Sequence, residues 1–157
     1  MSNRILVLYG SYRSDRMGIR LANFVINRLR GRGEDVEFID AKAIGLPMLD
    51  RMYKEYPKGS APEALEKLAE QIRGADGFVF VTGEYNWGIQ PGLKNLTDHF
   101  LEEWFWRPAA IVSYSAGRLS GARAAETITH WPALRVVPVL TPSMPSTPSS
   151  SLVLRSM

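Results

Sequence analysis

The sequence predicts an α/β domain: a doubly wound parallel sheet of five strands held between helical layers as a three-layer α/β/α sandwich. Two observations carry this. Strand-like and helix-like segments alternate five times along the chain, the mark of βαβ units joined by right-handed crossovers. Two strand-like segments, Ile5-Leu6-Val7-Leu8-Tyr9 and Gly77-Phe78-Val79-Phe80-Val81-Thr82, carry apolar residues in unbroken runs, as strands covered on both faces do.

The first strand, Ile5 to Tyr9, stops at Gly10. A helix follows, its apolar stripe set by Ala22, Val25, Ile26 and Leu29 at helical spacing, with Gly31 and Gly33 as stop signals. Val36 to Asp40 is the second strand. Residues 41–60 read as a long loop broken by Gly45, Pro47, Pro57 and Gly59. Ser60 and Glu63 have capping-box spacing with Pro62 in the first turn, and Leu65, Leu68, Ala69 and Ile72 stripe a helix closed by Gly74. Gly77 to Thr82 is the third and central strand. Leu93, Leu96, Phe100, Leu101, Trp104 and Phe105 predict one long helix ended by Pro108. Ala109 to Tyr114 is the fourth strand, Leu119 to His130 the fourth helix, and Leu134 to Leu140 the fifth strand, whose Pro138 suits a sheet edge.

At 157 residues, 45% hydrophobic and 22% charged, the chain is one domain able to bury a core. No apolar run reaches the roughly 18 residues of a membrane span. Met1-Ser2-Asn3-Arg4 leads into an apolar run without a small-residue cleavage site, so no secretory leader is expected. The absence of cysteine excludes a disulfide scaffold, a zinc–thiolate site, an iron–sulfur cluster and a redox CxxC; a cytoplasmic location fits. His99 and His130 stand far apart, so no metal is expected. Lys and Arg outnumber Asp and Glu by 19 to 16 without clustering. That pattern predicts neither a nucleic-acid nor a membrane partner, though a mildly basic surface favours small anions.

Ligands of such sheets bind at the carboxyl ends of the strands, near the reversal of strand order. Three turns lie there. Gly10 to Gly18 holds two hydroxyls, two arginines and glycines. Ser11, Arg13 and a helix N-terminus would suit a phosphate; an ordinary strand-to-helix turn with solvated arginines accounts for the same residues. It matches neither GxxxxGK[ST] nor GxGxxG. Gly83 to Asn95 mixes aromatics with glycines, which would grip a flat heterocycle or simply pack Tyr85 and Trp87 in a rigid turn. Ser113 to Gly121 is small and polar. Position 113 is Ser, so the Gly-x-Ser-x-Gly elbow is absent, and a binding loop is the better reading than a hydrolase nucleophile.

Together these segments resemble the NADPH-dependent FMN reductase family, a flavodoxin-like group with azoreductase, quinone reductase and chromate reductase members. Gly10-Ser11-x-Arg13-x-x-Arg16-x-Gly18 resembles its FMN phosphate loop. Glu84-Tyr85-Asn86, with Pro91-Gly92 and Leu93 onward, resembles its flavin-ring loop, and Ser113 to Gly121 its third flavin contact. The likeness covers about residues 4–142, and residues 1–142 are expected as the flavodoxin-like FMN-binding domain. It implies that Ser11, Arg13, Arg16, Met17 and Gly18 hold the phosphate and that Glu84, Tyr85, Asn86 and Trp87 line the ring edge, mainly through backbone. Ser113, Tyr114, Gly117 and Arg118 would face the pyrimidine.

The resemblance also implies NADPH or NADH as co-substrate, hydride transfer through bound FMN to a small acceptor, no catalytic side chain, and a homodimer. Backbone N–H groups near the pyrimidine would stabilise the reduced ring. Three departures stand out. Gly83 occupies a position where proline is usual. Arg16 and Gly18 occupy positions where Ser and Asn are common. The Ser/Pro-rich residues 143–157 read as a tail where the family has a fifth helix, so that sheet face would be bare, tail-covered or partner-covered.

A flavodoxin-type electron carrier is the alternative. The net charge of +3 and the arginines of the first turn disfavour it. An interaction protein binding flavin incidentally is a second. Trp104 and Trp106 cannot both turn inward from one helix, so at least one is expected in a dimer interface, while Phe100 and Phe105 read as core. Glu102-Glu103 reads as a solvated face, Lys94 as a surface charge or an attractant for the nicotinamide phosphate, and Asn95-Leu96-Thr97 as an unused glycosylation match.

Overall fold

The computed structural model describes residues 1–131 and 134–140, with side chains to Trp131. The Ser/Pro-rich stretch expected over 143–157 lies outside the described residues. Five strands form one parallel sheet: β1 (Arg4–Tyr9), β2 (Asp35–Asp40), β3 (Gly77–Gly83), β4 (Arg107–Tyr114) and β5 (Leu134–Leu140), in the order β2-β1-β3-β4-β5. This is the flavodoxin-like order, and it reverses between β1 and β3. Pro138 lies on the edge strand, in register with Ile111.

The helices are α1 (Ile19–Arg30), α2 (Ala41–Ile44), α3 (Glu63–Arg73), α4 (Pro91–Asp98) and α5 (Ala122–Thr129). One sheet face packs Leu6, Leu8, Phe78, Phe80 and Ile111 against α3, α4 and α5. The other packs Val7, Val79, Val81 and Val112 with Ala22 and Ile26 of α1. Every residue of β3 is buried, as a middle strand requires.

The long loop contains two helical turns, α2 and a 3-10 turn at Tyr53–Glu55; α2 is capped by the Asp40 carboxylate, which accepts from the Lys42 N–H at 3.1 Å. The expected capping box does not form. Pro62 occupies the N-cap of α3, the Ser60 hydroxyl donates to the Pro57 carbonyl at 2.8 Å, and Glu66 rather than Glu63 accepts the Ala61 N–H, at 3.0 Å.

The predicted long helix also ends early, at Asp98. The hydrogen bonds around Thr97 show what replaces the next turn. Its hydroxyl bonds back to the Leu93 and Lys94 carbonyls at 2.9 and 3.0 Å. Its carbonyl accepts from the Phe100 N–H at 3.2 Å and the Trp104 indole at 3.3 Å. The Leu101 N–H goes to the Glu103 carboxylate at 3.2 Å, so the helical ladder cannot continue. The break lets Trp104 stack edge-on against Phe78, centroids 5.0 Å apart.

The same break overturns two expectations. Glu103 is buried, taking Arg73 Nη2 at 2.7 Å, and is no solvated face. Phe105 lies at the surface instead of in the core. Trp104 is core, and Trp106, at φ +67°, is 84% exposed.

Candidate functional site

The carboxyl ends of β1 and β3 meet under a cleft of about 390 Å³, lined by Ser11, Arg13, Tyr85, Gln90 and Asn95, with Leu46 and Met48 on its outer wall. That volume is in the usual range for small-molecule sites, roughly 300–1,000 Å³. Its floor is a close approach of β1 to α4. A Cβ on Gly10 would sit 2.5 Å from the Leu93 Cα, and one on Gly92 would sit 2.5 Å from the Tyr12 ring, so only glycine fits at either place.

The first turn, residues 10–18, is tied to residues 40–42. The Tyr12 hydroxyl donates to the Ala41 carbonyl at 2.8 Å, and Lys42 Nζ donates to the Arg13 carbonyl at 3.2 Å. Arg16 forms a fork on Asp40, with Nη1–Oδ1 and Nη2–Oδ2 both 2.6 Å, and Nη1 also donates to the Ser11 carbonyl at 3.1 Å. These side chains are only 20% and 11% exposed. The hydrogen bond to Asp40 raises the Arg16 pKa further above its ordinary value, against the opposing effect of burial. Breaking one partner of such a pair costs about 2 kcal/mol after discounting for its partial exposure.

Arg13 differs. Its fork to Asp15, at 2.9 Å, lies in solvent, with side chains 62% and 69% exposed, and such a pair contributes little. Met17 is exposed beside it. The first turn of α1 carries no acidic residue, so its N-terminal dipole is not offset there.

In the second turn, Tyr85 and Gly88 exchange backbone hydrogen bonds of 2.9 and 3.0 Å across Asn86 and Trp87, both at positive φ (47° and 71°). This is hairpin geometry that favours Asn then Gly. Trp87 in the second place costs about 1–2 kcal/mol. Its exposed indole lies on the Arg123 guanidinium, 3.5 Å from the ring centroid. The Glu84 carboxylate accepts from the Arg123 N–H at 3.2 Å, and the Glu84 N–H donates to the Tyr114 carbonyl at 3.1 Å. Glu84 and Trp87 therefore join this turn to the start of α5, while Tyr85 alone of the four reaches the cleft lining.

In the third turn, the Ser113 hydroxyl donates to the Ser120 carbonyl at 3.1 Å, and the Gly117 N–H donates to the Ser115 hydroxyl at 3.1 Å. Gly117 and Arg118 are exposed and lie outside the cleft lining. Tyr114 points back across the sheet. Its ring passes over Gly83, where a Cβ would come within 3.0 Å, and ends against Gly18 at the start of α1. Its hydroxyl is 3.3 Å from that of Tyr9 and accepts from Gln90 Nε2 at 2.9 Å. Gln90 Oε1 is the one buried side-chain polar atom among the described residues without a partner, an arrangement costing about 1–3 kcal/mol.

Burial, then the neighbouring Tyr9 hydroxyl, raises the Tyr114 pKa well above the usual value near 10. The folded chain thus holds this proton more tightly than the unfolded chain. Its contribution to stability is present below about pH 10 and is lost as pH rises beyond it. Urea unfolding from pH 9 to 11 is expected to show this fall, with a shallower slope in Tyr114→Phe; equal slopes would place the phenol in solvent.

Sequence reasoning missed Asp40, Tyr12, Gln90 and Asn95. Asp40 ends β2 beside β1, so its place at the same sheet edge was a usable signal. Asn95 holds the outer wall: Oδ1 accepts from the Leu49 N–H at 2.9 Å and Nδ2 donates to the Pro47 carbonyl at 2.8 Å. Lys94 pairs with Asp98 on the same helix.

The donor set fits FMN. A mainly apolar cleft of suitable size is bordered by a serine and by an arginine whose ion pair lies in solvent. The family model for NADPH-dependent FMN reductase matches residues 3–147. An NAD(P)H-dependent FMN reductase of Schizosaccharomyces pombe is 33% identical over 138 residues, 81% of this chain and 64% of that protein. A 2-hydroxy-1,4-benzoquinone reductase of a Burkholderia species is 32% identical over 129 residues, covering 79% of this chain and 67% of that protein. Among solved structures, the flavoenzyme NAD(P)H:(acceptor) oxidoreductase FerB of Paracoccus denitrificans superposes with TM-score 0.64 at 25% identity, covering 86% of this chain and 75% of that one. The chain spans just under two thirds of the fission-yeast protein's length. With a match across nearly all of its length, it belongs to the NADPH-dependent FMN reductase family.

Proposed function

We propose that this chain is an FMN-dependent oxidoreductase that takes electrons from NADPH or NADH and delivers them to a small acceptor of the quinone, flavin or azo class. The observation that carries the reading is the cleft where the 10–13 and 85–92 segments meet at the strand-order reversal. Family membership and the benzoquinone reductase relative support it.

In this reading Ser11, Arg13 and the backbone around Met17 and Gly18 receive the phosphate. The 84–87 turn borders the ring, and Ser113, Gly117, Arg118 and the backbone of Tyr114 lie toward the pyrimidine side, while the Tyr114 phenol backs the phosphate turn. FMN, when bound, supplies the hydride acceptance and onward electron delivery. The protein's part is to orient and to keep water out. Asn95 fixes the wall of Leu46 and Met48, and the β1–α4 contact closes the floor. Nothing here calls for a side chain to move a proton, and none is assigned as catalytic.

A homodimer belongs to the same proposal, supported by the exposed aromatic pair Phe105 and Trp106. So does a cytoplasmic location, on the cysteine-free composition. Among the described residues, no helix is long and apolar enough to cross a membrane.

The test is a titration of the purified chain with FMN, followed by anaerobic NADPH. Saturable quenching of flavin fluorescence and rapid bleaching of the bound yellow band are expected. Binding without bleaching by either nicotinamide would favour an electron carrier, and no binding at all would end the proposal.

A further inference from the structure

We propose that Arg16 is a positioning residue and not a phosphate ligand: its fork on Asp40 holds the 10–18 turn in receiving shape, and Arg13 supplies the cation. This rests on the reading that the turn takes the FMN phosphate. The two arginines stand three residues apart on one turn, yet their surroundings assign them opposite work. Arg16 directs both terminal nitrogens inward, onto the Asp40 carboxylate and the Ser11 carbonyl. These three bonds use three of its five N–H groups, and the carboxylate offsets its charge. To reach a phosphate it would have to leave Asp40 unpaired among half-buried groups and release the Ser11 carbonyl, unfastening the turn that is to bind.

Arg13 has neither obstacle. Its partner Asp15 lies two residues away in open solvent, and exchanging that carboxylate for a phosphate dianion strands no buried charge. The ties beside the fork run in the same direction. Tyr12 donates to Ala41, Lys42 donates to the Arg13 carbonyl, and Asp40 also caps α2. Asp40 is thus the common anchor of the turn and of the segment leading to the cleft's outer wall.

The two roles for Arg16 predict opposite signs for a change at Asp40. If Arg16 bound phosphate, Asp40→Asn would free it, and FMN affinity would hold or improve. If Arg16 positions the turn, Asp40→Asn weakens FMN as Arg16→Gln does. Fluorescence titration of wild type, Asp40→Asn, Arg16→Gln and the double variant, with FMN and with riboflavin, separates these. Each single change is expected to raise the FMN Kd about tenfold, and the double no more than the worse single, because the residues act as one unit. The riboflavin Kd should stay within about twofold, which a general loss of folding would not allow. Asp40→Glu, which keeps the carboxylate, should recover much of the FMN affinity.

Amide hydrogen exchange of residues 12–18 in the flavin-free chain gives a second readout, expected to quicken in Asp40→Asn and Arg16→Gln alike. An FMN Kd unchanged or tightened by Asp40→Asn, or unaltered exchange in that turn, would overturn the proposal. A wild-type chain that bound riboflavin but gained nothing from the phosphate would overturn it too. One that bound neither flavin would sink the FMN reading itself and this assignment with it.

Discussion

Gly10→Ala is expected to destabilise the chain by about 3 kcal/mol, the upper end of what overpacking a core usually costs. An added Cβ would lie 2.5 Å from the Leu93 Cα and closer still to its N and Cβ. Two of those three atoms are backbone, in the first turns of α4, so no rotamer change relieves the overlap. Leu93 is itself fully buried between β1 and the rest of its cluster, and the helix has nowhere to retreat. For a domain whose whole stability is on the order of 5–15 kcal/mol, the melting midpoint should fall by about 6–12 °C. The same contact is the floor of the cleft, so FMN retention should fail at temperatures where the variant is still folded. Thermal melts and FMN titration of Gly10→Ala beside wild type check both. A midpoint within a degree or two of wild type would mean that β1 and α4 stand further apart than described.

The fold was legible because it is written in hydrophobic pattern. Five strand-like runs, the first and third broken at glycine, became five parallel strands, and the proline in the fifth run marked an edge. What pattern could not foresee was where a side chain would outcompete the backbone. The stripe Leu93, Leu96, Phe100, Trp104 is consistent with one long helix. It stops at Asp98, where Trp104 and Glu103 take the carbonyl and N–H that the next turn would have used. Glu103 looked solvated because carboxylates usually are. Its burial depends on Arg73 of α3, a partner thirty residues away that no local reading supplies.

The candidate site was legible as three turns and less so as individual roles. Position along the chain brings 10–18, 83–95 and 113–121 to one sheet edge, but it does not say which way a side chain faces. Glu84 and Trp87 turn to α5 because Arg123 offers both an N–H and a guanidinium there. Tyr114 turns under α1 because Gly18 and Gly83 leave room for its ring. Two of the departures from the family pattern, at 83 and 18, are thereby linked. Both admit the same phenol ring, a relation between distant positions that only the packed structure exposes.

That linkage yields the second large effect. Gly18, the N-cap of α1, has ordinary helical angles, φ −63° and ψ −14°, so the smaller backbone freedom of an unfolded Ala alone predicts that Gly18→Ala stabilises the chain, by up to about 1 kcal/mol. Packing predicts the reverse. The new Cβ would be 2.7 Å from Tyr114 Cε1 and nearer to Cζ and the hydroxyl. The phenol cannot swing aside without releasing Gln90 and Tyr9. Overpacking outweighs that gain, and a net loss of about 2 kcal/mol is expected. In a Tyr114→Ala background the obstacle is gone, and the same substitution should be neutral or favourable. The double-mutant cycle should therefore show a coupling of about 2–3 kcal/mol between positions ninety-six residues apart in sequence. Denaturant unfolding of the four proteins measures it. Simple additivity would mean that Tyr114 rests elsewhere, and with it the hydroxyl chain from Tyr9 to Gln90 that backs the turn where the phosphate is proposed to lie.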